Sequence, residues 1–157
     1  MIFSNPPAFP SSHFDNLSEI ETSYWWHLSR LNWVEWIINK WIPETAAMEM
    51  VDFGCGTGGF LHTLCKRVSF KSSLGIDISS KAIHQALKYG PNYQHVHPGD
   101  YSPVKGKSLI FLMDTLEHIQ DDQNCLSGLM DSMAAGGQLL ISVPAMPSLS
   151  SEWDDAL

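Results

Sequence analysis

Residues 51–60 read VDFGCGTGGF, Val51 to Phe60, and this stretch decides the fold. It holds a literal G-x-G-x-x-G at Gly54, Gly56 and Gly59, and a further glycine at Gly58. An apolar run, "MEMVDFG", precedes it and reads as a buried strand. The segment "TGGFLHTLCKRV" follows and reads as a helix, with Phe60, Leu61, Leu64 and Val68 on one face. A glycine turn between a strand and a helix lets the backbone approach a ligand closely. The competing reading is a tight connection with no ligand. Asp52 lies two residues before the first glycine, so a carboxylate belongs to the same place.

Working outward, the strand–helix alternation continues. "SSLGIDIS" is a second strand, and "SSKAIHQALKYG" a helix opened by Ser79 and Ser80 and closed by Gly90 before Pro91. "NYQHVHPGD" is a short third strand, with His95 and His97 on one face, where a solvated edge explains them better than a ligand role. "KSLIFLMD" is a fourth strand, apolar on both faces. "DDQNCLSGLMDSM" is a helix with Leu126, Leu129, Met130 and Met133 at helical spacing, and "GQLLISVP" a fifth strand. Before the first strand, "YWWHLSRLNWVEWIINKWIP" is a helix on the recurrence of Leu31, Val34, Ile38 and Trp41, ended by Pro43. Near-continuous apolar strands alternating with helices predict an open, doubly wound α/β fold with a mostly parallel sheet. Such folds bind ligands at the carboxyl ends of the strands, where strand order reverses.

The chain has 157 residues, enough for one domain with a proper core. Residues 1–15 read as a flexible N-terminal arm, broken by Pro6, Pro7 and serines, and 16–157 as one cofactor-binding domain. The net charge is −8, with no basic run, which argues against bulk nucleic-acid binding. No apolar run has the length of a membrane span, so a transmembrane segment is not expected. Cys55, Cys65 and Cys125 are odd in number and lack metal spacing, which suits a reduced, cytoplasmic setting.

Asp77 ends the second strand about 20 residues after the turn, the position of a carboxylate that accepts bonds from ribose hydroxyls; capping the next helix is its alternative. Both features suit a nicotinamide cofactor as well. Asp52 argues against one, because an acid beside a pyrophosphate costs affinity. It suits S-adenosyl-L-methionine, which has a sulfonium, an ammonium and no phosphate. A structural carboxylate capping local amides is the alternative for Asp52.

These residues carry a resemblance. VDFGCGTGGF resembles the first motif of class I S-adenosylmethionine-dependent methyltransferases, and "GIDIS" their second acidic motif. "PGD", Pro98 to Asp100, is similar to the loop whose acid faces adenine. "LIFLMDTLEHIQDD", "MAAGGQLLISVPA" and "YWWHLSR" resemble the ubiquinone-biosynthesis-like, type 11/12 branch. The resemblance implies a Rossmann-like fold and S-adenosyl-L-methionine as cofactor. It implies that Asp52, Gly54, Cys55, Gly56 and Gly58 lie at the methionine part and that Asp77 holds the ribose. Ile78 would pack on the adenine face, Asp100 accept from its amino group, and Tyr101 flank the ring. Met113, Asp114 and Thr115 would line the sulfonium side. Tyr24 and Arg30 would approach the carboxylate end, or else be a packed aromatic and a solvated cation.

For a hydroxyl acceptor the candidate bases are His118, Glu117 and His27, with capping or packing as the competing role of His118. Asp114, Glu117 and His118 share a face if "DTLEH" is helical, but too few ligands are visible for a metal. Relatives continue past the fifth strand with two more strands and a helix. The sequence stops 13 residues after Pro144, so the expected sheet lacks the usual last two strands. The leading expectation is methyl transfer to a small-molecule or lipid-like acceptor. The alternatives are a binding module without efficient turnover, its acceptor half missing, and a nicotinamide-dependent oxidoreductase. The apolar fifth strand, as an exposed sheet edge, also predicts a homo-oligomer.

Overall fold

A computed structural model describes residues 25–42 and 44–144. The expected arm at 1–15, Tyr24 and the tail after Pro144 lie outside the described residues. The elements follow the predicted order: α1 (Trp25–Trp41), β1 (Glu49–Phe53), α2 (Gly59–Arg67), β2 (Ser72–Asp77), α3 (Ser80–Ala86), β3 (Tyr93–His95), β4 (Leu109–Met113), α4 (Asp122–Ser132) and β5 (Gln138–Ser142). The sheet is wholly parallel, in the order β3-β2-β1-β4-β5. The chain steps outward from β1 to β3 and then returns to place β4 against β1. The switch point therefore lies between β1 and β4, where β1 runs into the glycine turn of VDFGCGTGGF.

Strand periodicity sorts the core into two layers. Met50, Leu109 and Phe111 face one side and pack with Leu31, Val34 and Ile38 of α1, Leu61 and Leu64 of α2, and Ile83 and Ala86 of α3. Val51, Ile110 and Leu112 face the other side, with Cys125 and Leu129 of α4. All five residues of β4 are buried, as a central strand covered on both faces requires.

Three faces differ from the periodicity. Trp41 is 64% exposed, and Ile42 takes its place in the core, because the turn after Ile38 buries the i+4 position. Met130 is likewise outside, and Cys125 with Leu129 forms the buried stripe of α4. His97 lies beyond the end of β3, and its ring stands 5.4 Å from that of His95, the last residue of that outermost strand; both are exposed. Ser79 alone caps α3, its Oγ accepting from the Ala82 N–H at 3.3 Å.

Candidate functional site

The turn after β1 has Gly54, Gly56 and Gly58 all in the left-handed region, with φ of 82°, 54° and 84°. Two of these glycines have different physical reasons. A Cβ on Gly54 would collide with the Thr115 side chain, so Gly54 is set by close packing against the end of β4. A Cβ on Gly56 would meet nothing within 4 Å, so Gly56 borders open space. Gly58 precedes α2, and its carbonyl accepts the Tyr93 hydroxyl at 3.0 Å.

The turn uses its amides internally. Gly54 N–H and Cys55 N–H both donate to the Ile76 carbonyl, at 2.8 and 3.0 Å, and Gly58 N–H donates to Cys55. Gly56 N–H donates to Asp77 Oδ2 at 2.9 Å, while Ser79 N–H donates to Asp77 Oδ1 at 2.7 Å. Asp77 thus ties the turn to the start of α3, and each of its oxygens retains a lone pair. Burial raises its pKa above the usual carboxylate value, and the two amides oppose that rise. Ile78, the next residue, is 47% exposed beside it.

Asp52 lies in β1, just before the turn. The strand alternation that points Met50 inward points Asp52 the same way, and it is 2% exposed beneath the turn. Asp77 is the carboxylate that bonds to an amide of the turn, at Gly56. Cys55 is buried under the same turn.

At the end of β4, Met113 is buried and Asp114 has φ of 53°, the only positive value at a non-glycine among the described residues. Asp114 Oδ2 accepts from Arg30 Nη1 at 2.6 Å, and Oδ1 accepts from Ser142 Oγ at 2.7 Å. Its N–H donates to the Ser142 carbonyl at 3.0 Å. Thr115 Oγ1 lies 3.2 Å from the Met113 carbonyl and 3.5 Å from that of Gly54.

Arg30 is therefore inside the site, not a solvated cation. Its guanidinium lies 5.2 Å from the Phe60 ring centroid, and Nη2 is 3.4 Å from His27 Nδ1. Its Nε is buried without a hydrogen-bond partner, alone in this among the described residues. A small cleft lined by His27, Arg30, Phe60 and Thr63 opens there. Burial, then the Arg30 charge, lowers the His27 pKa below its ordinary value. His27 is the one expected base that the structure sets against Arg30.

Other expected residues are less central. Tyr101 stacks on Phe53, with centroids 6.2 Å apart, and a Cβ on Gly128 would run into its ring. Its phenol is pushed up to about 12, by burial first and by Cys125 second. One side of the ring is therefore committed to the core. Asp100 Oδ1 accepts from Ser102 N–H at 2.9 Å and tightens its own loop. The DTLEH stretch is not an α-helix: Leu116–His118 is a single 3₁₀ turn, because the left-handed Asp114 breaks the path before it. His118 and Glu117 are exposed there. Among the described residues no group of three or more His, Cys, Asp or Glu is placed to hold a metal. Ser142 and Phe60 escaped sequence reasoning, since nothing local marks a serine on β5 or an aromatic in a helix as site residues.

The sequence pattern of the methyltransferase domain family matches residues 27–157. A trans-aconitate 2-methyltransferase of Deinococcus radiodurans is 31% identical over 106 residues, covering 66% of this chain and 41% of that protein. A small RNA 2′-O-methyltransferase of Arabidopsis thaliana is 30% identical over 104 residues, covering 57% of this chain and 11% of that protein. The chain spans about two-fifths of the length of the trans-aconitate methyltransferases it matches. In fold it is similar to the plantazolicin methyltransferase BpumL in complex with SAH, with a TM-score of 0.66 and 20% identity over 93% of this chain and 59% of that one. It is also similar to Streptomyces venezuelae DesVI, with a TM-score of 0.68 and 14% identity over 90% of this chain and 61% of that one. A glycine turn at the switch point, an acid closing β2 and a family match running from α1 to the end of the sequence agree, and the chain belongs to the methyltransferase domain family.

Proposed function

We propose that the chain binds S-adenosyl-L-methionine at the carboxyl ends of β1, β2 and β4 and serves methyl transfer to a small-molecule or lipid-like acceptor. One observation carries the choice of ligand. Gly54, Cys55, Gly56 and Gly58 direct their N–H groups to protein acceptors, and one of those acceptors is a carboxylate. A pyrophosphate needs free amides and suffers from an adjacent acid. A ligand with ribose hydroxyls and cationic centres suits acceptor-rich walls.

The residues present fit that ligand on two further counts. Gly56 borders open space, and Arg30 Nε is a buried donor in want of an acceptor, which a carboxylate supplies. S-adenosyl-L-methionine, when bound, brings a methyl group already activated on a sulfonium. The chain is then asked for binding, orientation and exclusion of water. In this reading Asp77 accepts from the ribose and Ile78 covers the adenine, while Asp100 and Tyr101 border the base. Gly54, Cys55 and Gly56 form the floor, with Asp52 holding it from below and Gly58 opening α2. Arg30, with Tyr24 near it in sequence, serves the carboxylate end. Met113, Asp114 and Thr115 face the reacting side. His27, His118 and Glu117 are the groups from which a base for a hydroxyl acceptor is drawn. Three cysteines, an odd number without metal spacing, fit a reducing, cytoplasmic setting.

Calorimetry with S-adenosylhomocysteine and with NAD tests the ligand: saturable binding of the first and none of the second is expected. Binding of NAD alone overturns the reading. A methyl-release assay with hydroxylated aromatic and isoprenoid acceptors tests turnover separately.

A further inference from the structure

We propose that the outward face of α1 docks on the surface of a phospholipid bilayer. The helix is apolar on two sides. Leu31, Val34 and Ile38 enter the core, while Trp25, Trp33 and Trp41 are each 64% exposed, Trp36 49% and Trp26 48%. At the angular step of an α-helix, Trp25, Trp26, Trp33 and Trp36 fall within an arc of about 100°, opposite the buried residues. Exposure of this kind along one helix is not the scatter of single apolar residues that any surface has.

Three observations point to lipid. Every exposed large apolar residue of α1 is a tryptophan, the side chain that favours the boundary between headgroups and acyl chains. The face is the convex crest of a helix, the shape that lies in the plane of a bilayer. Its charge is also unlike the rest of the chain. The chain carries −8, yet α1 has Arg30 and Lys40 against Glu35 alone, and Glu35 is bound to Arg67 at 3.0 Å. Lys40 Nζ lies 4.6 Å from the Trp36 ring centroid and 5.0 Å from that of Trp41, so a positive charge sits among the exposed tryptophans, where lipid phosphates would meet the face. Among the described residues no helix is long and apolar enough to cross a membrane, so docking is along the surface. His27, on the side of the buried residues, and Arg30, on the flank between the two faces, line the cleft, which brings it near the lipid.

The test is sedimentation of the full chain with phosphatidylcholine vesicles, with and without phosphatidylglycerol, alongside tryptophan emission. Wild type is expected to sediment with the vesicles and shift its emission to the blue. Trp33→Ser/Trp36→Ser is expected to bind at least tenfold more weakly while keeping its melting temperature and its affinity for S-adenosylhomocysteine. A chain that stays in the supernatant with both vesicle types overturns the proposal, as does a double variant that binds equally well. Self-association abolished by the double variant, with no vesicle binding by wild type, assigns the face to a second copy and overturns it too. The readout is partition and not turnover. A chain that binds S-adenosylhomocysteine and ignores vesicles therefore refutes this proposal alone, and the reverse result refutes only the cofactor reading.

Discussion

Arg30 in α1 and Asp114 at the end of β4 meet at 2.6 Å across 84 positions of sequence. The pair joins the first helix to the central strand at the switch point, and Ser142 of β5 holds the other Asp114 oxygen. Three elements remote in sequence thus converge on one carboxylate. With side chains 17% and 23% exposed, the pair is partly screened. Arg30→Ala is expected to cost about 1–2 kcal/mol of stability, within the range for hydrogen bonds to charged groups. Limited proteolysis should then cut α1 before the sheet, and a variant as resistant as wild type would show that the pair does not anchor the helix.

Asp77→Ala is expected to weaken S-adenosylhomocysteine binding by roughly 1.5–3 kcal/mol, the worth of bonds to a charged acceptor. It also strips the Gly56 and Ser79 amides of their acceptor, so some loss of melting temperature is expected alongside. The sheet should persist, because β2 is paired on both sides. Unchanged affinity by calorimetry refutes the ribose role.

Gly54→Ala and Gly56→Ala should separate packing from binding. At Gly54 the new methyl meets Thr115 as well as backbone strain, and a stability loss of about 2–4 kcal/mol is expected. At Gly56 only the strain applies, about 1–2 kcal/mol, but the methyl projects into the open side of the turn. Chemical denaturation and calorimetry together should show Gly54→Ala failing in stability and Gly56→Ala failing in affinity. Equal affinity of Gly56→Ala and wild type would place the ligand elsewhere.

Acid should loosen the fold through histidine. His27 and His62 both have pKa values lowered from 6.5, with burial the first cause in each. The folded state therefore binds fewer protons than the unfolded chain. Their contribution is complete above the ordinary value and is lost as pH falls through the lowered one. A melting temperature that drops between about pH 7 and 5 is expected, and the His27→Gln/His62→Gln variant should flatten that drop. Asp77, raised from 3.8, has the opposite sign. Its contribution is full below 3.8 and lost as pH rises through the raised value, so Asp77→Asn should alter the curve only in the acid range. A parallel drop in wild type and double histidine variant would remove the histidines from the account.

The sequence by itself determined the element order, the parallel sheet and the glycine turn followed by Asp77. These are local consequences of period-2 and period-3.6 apolar spacing and of where glycine permits a left-handed backbone. It also placed Asp114 and Thr115 at the end of β4. Only the tertiary structure decided which acid is buried beneath the turn and which bonds to its amides. Asp52 and Asp77 look alike in sequence and fall on the same face of the sheet, but Asp52 lies inside β1 and is buried, whereas Asp77 ends β2 and reaches the Gly56 amide. Tyr101 turned to the core because Gly128, 27 positions later, leaves room for its ring. The two apolar sides of α1 are equally apolar as sequence, and packing against β1 and β4 chose Ile38 and left the tryptophans outside. Partners distant along the chain leave no periodic trace, because contact depends on where the sheet returns the chain and not on what stands next to a residue.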